Sequence, residues 1–155
     1  MFLVADTMER RHTKIRAYLP AEPVVAVLLA AVDFEWTVRR AIVAMGTSSN
    51  RMIREGVLQR CHGPEDYKVA WKQEVQGRLG ETLPEVVLNW QALREDGFRL
   101  RNTIVHGIKG MPSPQKCQAC VEAFLEASTH VARYAEQHEA PLFGRRLPVR
   151  RRARG

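Results

Sequence analysis

LPEVVLNWQALREDGFRLRNTIVHG, residues 83–107, repeats its apolar residues at helical spacing and holds no alternating stretch. That period predicts a helix over about 84–108 and argues against a strand. Successive residues on a helix turn by about 100°. With Arg101 set at zero, Trp90, Phe98, Val105 and Ile108 all fall within about 60° of it. Arg101 therefore projects from the apolar stripe, where a charge needs a partner or a solvent-filled pocket. Glu95, Asn102 and His106 lie about 100–140° round and form a polar stripe beside it, with Arg99 nearby.

The same period recurs along the chain. A short helix is predicted over about 7–18, with Asp6 or Thr7 as N-cap and Pro20 beyond its end. A long one runs from Pro23 to about Met45, with Pro23 in its first turn and Gly46 at its stop. Its first half is apolar almost all round, as a central helix should be. Val25, Leu29, Val32, Trp36 and Val43 form its expected core stripe. Further helices are predicted over about 48–60, from Pro64 to a break at Gly77–Pro84, and over about 114–137, the last with Cys120, Phe124, Ala127 and Val131 on one face. The expectation is an all-α bundle of about five or six helices, with 23–45 and 84–108 as its two long core neighbours.

The chain has 155 residues and is 45% apolar and 26% charged, the proportions of one ordinary globular domain. Its net charge of +7 is unevenly placed. PLFGRRLPVRRRARG, residues 141–155, holds six arginines and no acid, which leaves the preceding 140 residues close to neutral. Residues 1–140 are thus expected to form a single helical domain and 141–155 a disordered basic tail. Such a tail either attracts phosphate backbones or only solubilises the chain end.

Three cysteines, Cys61, Cys117 and Cys120, are too few for a disulfide scaffold and suit a reducing cytoplasm. Cys117-x-x-Cys120 lacks the second pair that a structural zinc needs, so no metal and no cofactor is expected. The start shows no signal peptide, and the longest apolar run, 24–32, is too short to span a bilayer. A soluble cytoplasmic protein without membrane contact is the expectation.

RNTIVHG, residues 101–107, has two readings. In the purely structural one, His106 caps a helix C-terminus, where a cation is favoured, and Arg101 pairs with Glu35 or Glu95. In the chemical one, His106 moves a proton at neutral pH and Arg101 stabilises a phosphorane, with Asn102 orienting the histidine or holding a phosphate oxygen. These groups suffice to cleave RNA without a metal. The stretch resembles the R-x4-6-H motif of the HEPN family of small α-helical domains, in which a polar residue, often Asn, follows the arginine. The resemblance covers about residues 20–137. It implies a metal-independent endoribonuclease (a hydrolase-type nuclease) acting as a homodimer through the motif helix, with Arg101, Asn102 and His106 catalytic. Toxin–antitoxin pairs and phage (antiviral) defence are family settings, and a toxin implies a cognate inhibitor protein. Other members are non-catalytic modules that bind nucleotides, RNA or protein, which is the alternative. RNA binding is expected to involve Arg99 and the tail residues Arg145, Arg146, Arg150, Arg151 and Arg152.

Overall fold

A computed structural model describes residues 6–107, 110–144 and 146–150. Among these residues every regular element is helical and no strand occurs. Helix α1 is Met8–Tyr18, opened by Thr7, whose hydroxyl accepts from the Arg10 amide. Helix α2 is Pro23–Met45 and α3 is Asn50–Glu55, followed by a 3₁₀ turn at Val57–Arg60. Helix α4 begins as Pro64–Trp71, passes through a π-helical stretch at Lys72–Gln76 and ends as Gly77–Leu79. Helix α5 is Leu83–Val86. Helix α6 begins as Trp90–Ala92, becomes π-helical over Leu93–Phe98 and ends as Arg99–Val105. Helix α7 is Pro114–Gln137. No helix among the described residues is long and apolar enough to cross a membrane.

The all-α architecture with two long helices is as expected, but the second long helix is α7 and not 84–108. The predicted helix at 84–108 is broken. Thr82 and Glu85 form a reciprocal cap that starts α5. One turn later Val87 turns extended, at φ −89° and ψ 90°. Asn89 then opens α6, and its side-chain amide donates to the Ala123 carbonyl at 3.0 Å.

The described residues fall into two compact units. Unit 1 takes the chain up to Trp36 and Asn89–Thr129. Unit 2 takes Thr37–Leu88 and the chain from His130 onward. Helices α2 and α7 each contribute a segment to both units.

In unit 1 the core is centred on three phenylalanine rings. Phe98 stands edge-on to Phe124 at 5.1 Å and to Phe34 at 5.9 Å, and Phe34 meets Phe124 at 6.0 Å. The π-helical stretch of α6 brings Gly97 against the Phe124 ring, where an added Cβ would sit 3.3 Å from a ring carbon. The Cys120 thiol donates to the Gly97 carbonyl beside it. On α7, Cys120, Phe124 and Ala127 are buried in unit 1 and Val131 in unit 2, as the period predicts. On α2 the expected stripe holds at Val43, which is buried, and fails at two of its other positions. Val25 and Val32 are exposed, while Ala26, Val27, Ala30, Ala31 and Phe34 are buried. Small side chains let a neighbouring helix come close, and that advantage outweighs the bulk of the valines.

In unit 2 Trp71, Tyr67, Ile42, Ile53 and Leu83 are buried. The Trp71 indole N–H donates to the Glu81 carbonyl at 2.9 Å, and the ring lies 5.9 Å from Tyr134. Arg39 donates to the Tyr67 hydroxyl and to the Leu58 and Cys61 carbonyls, tying α2 to the turn before α4. Buried Glu74 accepts from the amides of Thr47 and Ser48 and from both hydroxyls, which fixes the loop after α2. Residues 141–144 and 146–150, expected to be disordered, are held against this unit. Leu142 and Leu147 are buried, and Arg40 donates to the Leu142 carbonyl.

Gly46 closes α2 under close approach. A Cβ there would stand 2.5 Å from the Ile42 carbonyl oxygen and 2.6 Å from Ile53 Cδ1. Gly46→Ala is therefore expected to destabilise the protein by about 2 kcal/mol, lowering Tm by roughly 4–8 °C. Calorimetry checks this, and an unchanged Tm would show that the loop yields freely.

Candidate functional site

The motif lies at the end of α6, in unit 1. Helix α6 stops because Gly107 takes φ +64°, a left-handed conformation that suits glycine, with its amide donating to the Ile104 carbonyl. His106 is the last residue before that turn, at φ −88° and ψ 2°, and its amide still donates to the Asn102 carbonyl at 3.0 Å. Its side chain is exposed, and no described residue hydrogen-bonds its imidazole.

Arg101 is half-buried, with 26% of its side chain exposed. Its Nη2 donates to Glu35 Oε1 at 3.4 Å, and its Nη1 donates to the side-chain oxygen of Asn102 at 3.0 Å. Glu35 is the acid on α2 that the sequence offers as a partner, and its side chain is 20% exposed. Two of the five guanidinium donors are used, so three remain for an incoming anion. Asn102 is exposed. Arg101, Asn102 and Glu35 thus form one connected group, with His106 one turn beyond Asn102 on the same helix. The apolar stripe from which Arg101 was expected to project is buried only in part. Phe98 is buried, Trp90 is half-buried and Val105 is exposed.

Arg99 lines a shallow cavity of about 450 Å³ with Glu95, Asp96, Thr103 and Lys116. Two acids there offset its two cations. Arg146 is exposed. Arg145, Arg151 and Arg152 lie outside the described residues. Arg150 is half-buried, and its guanidinium is engaged by backbone carbonyls. It donates to the carbonyls of Val43 at 2.6 Å, Ala44 at 3.0 Å and Ser48 at 3.2 Å, and so caps the C-terminal end of α2. Desolvation by burial lowers its pKa from the usual arginine value. Arg150, expected from the sequence as an RNA contact, is placed here as an anchor of the end of α2.

The strongest polar cluster is one that the sequence reading missed. Asp33 is fully buried in the middle of α2. It accepts from Arg11 Nε at 2.6 Å and lies 3.0 Å from His12 Nε2. Arg11 also stacks over Trp36 at 4.8 Å and donates to the Asp6 carbonyl. A lone acid in an apolar run, with adjacent Arg and His on a short preceding helix, was the available signal. The cysteines are structural: burial pushes the Cys120 thiol up to about 12 and raises that of Cys117 as well.

Burial alone would raise the Asp33 pKa, but the hydrogen bonds from His12 and Arg11 and their charges hold it below the usual carboxylate value. A depressed folded-state pKa gives stability that is present above the unfolded value of about 3.9 and is lost as pH falls through the folded one. Urea midpoints should be level with respect to this group above about pH 5 and fall below about pH 4. Asp33→Asn, which leaves Arg11 buried without its counter-charge, should cost about 3–5 kcal/mol at neutral pH and lose that acid dependence. Equal midpoints for both proteins across this range would contradict the assignment.

No protein-family model matches the chain, and neither a curated protein nor a solved structure matches it.

Proposed function

We propose that the chain is a metal-independent RNA endonuclease of the HEPN type, acting as a homodimer through the end of α6. The observation that carries this reading is the Arg101–Asn102–Glu35 group with an unbonded, exposed His106 one turn away. Glu35 and Asn102 hold the guanidinium in one orientation and leave three donors for phosphate oxygens. His106 takes the proton from a ribose 2′-hydroxyl. The 2′-oxygen attacks the adjacent phosphorus, and the bond to the 5′-oxygen breaks. The leaving oxygen takes up a proton, and the products are a 2′,3′-cyclic phosphate and a 5′-hydroxyl. Arg101 neutralises the charge that builds on the phosphorane.

Arg101 and His106 lie about 140° apart on one helix, which is too wide for one phosphate. A two-fold pair of motif helices sets the arginine of one subunit against the histidine of the other. Val32 and Val105, 55% and 52% exposed, sit one turn from Glu35 and Arg101 respectively and give such a face its apolar share. The natural setting is a toxin or defence effector in the cytoplasm, restrained by an inhibitor encoded nearby.

One observation favours the second reading, a non-catalytic module that binds RNA, nucleotide or protein. Glu35 already balances the Arg101 charge, as an assembly contact would. Activity separates the two. Arg101→Ala and His106→Ala should each lower cleavage by about 10²–10⁴-fold while Tm is retained, and wild-type cleavage should persist in a chelator. Light scattering should give a dimer. Strict magnesium dependence, or cleavage by a monomer, would remove this mechanism.

A further inference from the structure

We propose that unit 2 carries a second contact for RNA, a basic groove between α3 and the anchored tail that takes the phosphate backbone of a single strand. The inference rests on the reading of the chain as an RNA-acting protein. The groove has a volume of about 640 Å³, and Arg51, Met52, Arg54, Glu55, Val149 and Arg150 line it. Arg51 and Arg54 are exposed, and against them stands the single acid Glu55. Glu55 pairs with Arg51 Nε at 2.8 Å, but at 83% and 58% exposure that pair is weak and readily exchanged for phosphate. Arginine forks match phosphate oxygens, and exposed Met52 and Val149 add apolar surface beside them.

The tail forms one wall because Asn50 grips it. The Asn50 side-chain amide donates to the Pro148 carbonyl at 2.9 Å, its backbone amide donates to the Arg150 carbonyl at 3.3 Å, and its side-chain oxygen accepts from the Arg150 amide at 3.2 Å. The Arg150 guanidinium is then committed to the end of α2. Asn50 and Arg150 are therefore positioning residues, and Arg51 and Arg54 are the phosphate contacts. The sequence continues from the anchored residue with Arg151, Arg152 and Arg154.

The test is fluorescence anisotropy of the full chain with a labelled 2′-O-methyl oligouridylate, which cannot be cut through its 2′-oxygen. Arg51→Ala with Arg54→Ala should weaken binding about tenfold at low salt and reduce the salt slope by about 1.4. Arg150→Lys keeps the charge but loses the three-way fork, and it should weaken binding too. Arg133→Lys, at an exposed arginine of α7 that does not line the groove, should leave binding unchanged. The exposed Arg51/Arg54 pair keeps the test available should Arg150→Lys unfold the chain. Wild-type affinity and slope in the double variant would overturn the groove. Displacement of the probe by polyglutamate as readily as by RNA of equal charge would overturn its assignment to nucleic acid. Probe binding that depends on Arg51 and Arg54, in a chain that cuts no natural RNA, would uphold the groove and overturn the nuclease reading.

Discussion

Asp33 sets the rotation of α2. A carboxylate without access to water, in the middle of an apolar helix, must face hydrogen-bonding partners, and α1 supplies them as the charged Arg11 and the ring of His12. Once Asp33 is turned inward, a residue two positions on lies about 200° round the helix. Glu35 is therefore turned outward, to the edge where Arg101 meets it. The buried cluster and the candidate site are thus two ends of one constraint. The deeper pair needs no role in chemistry to matter for it, because it orients the acid that orients the arginine.

Helix α6 answers the same constraint from its own side. Its π-helical stretch, Leu93–Phe98, lies directly before the motif. Hydrogen bonds there skip one residue further than in an α-helix, so a constant turn per residue does not carry through it. The stretch seats Gly97 and Phe98 on Phe124, and the Cys120 thiol meets the Gly97 carbonyl. Phe98 fixes the helix in the core three residues before Arg101. The buried and half-exposed positions around Arg101 then follow from that seating and not from an unbroken stripe.

How far the sequence could be read depended on where the deciding force was local. Thr7, Pro23, Gly46 and Pro114 mark ends of α1, α2 and α7 through their own backbone chemistry, and these ends fall where expected. The stripe of α7 was legible because its inward residues are also its bulky ones. On α2 the inward face at Ala26, Ala30 and Ala31 is small, and a reading by bulk picked Val25 and Val32 instead. The break at Val87 carries neither glycine nor proline. It is accompanied by Asn89 bonding the Ala123 carbonyl, a partner 34 residues away. Of the candidate site, Arg101, Asn102 and His106 were visible as a spacing. Glu35 was visible as one of two acids within reach; that it, and not Glu95, holds the arginine rested on which way α2 turns, which no local pattern records.

The tail makes the same point with the opposite sign. Composition reads an arginine run as charge held in solvent, either for a phosphate backbone or only to solubilise the chain end. Yet α2 ends without a basic residue in its last turn, so its final carbonyls lack a local partner. Arg150 reaches Val43 and Ala44 across more than a hundred residues, and Arg78 reaches the Met45 carbonyl. The need of a helix end for donors outweighs the hydration of one guanidinium, because three carbonyls accept from it at once. One arginine of the run is thereby a structural residue, and its backbone, held by Asn50, makes the segment before it part of the fold. That fixed backbone also sets Val149 and Arg150 beside Arg51 and Arg54 of α3, so the segment and the helix line one groove that neither would form alone.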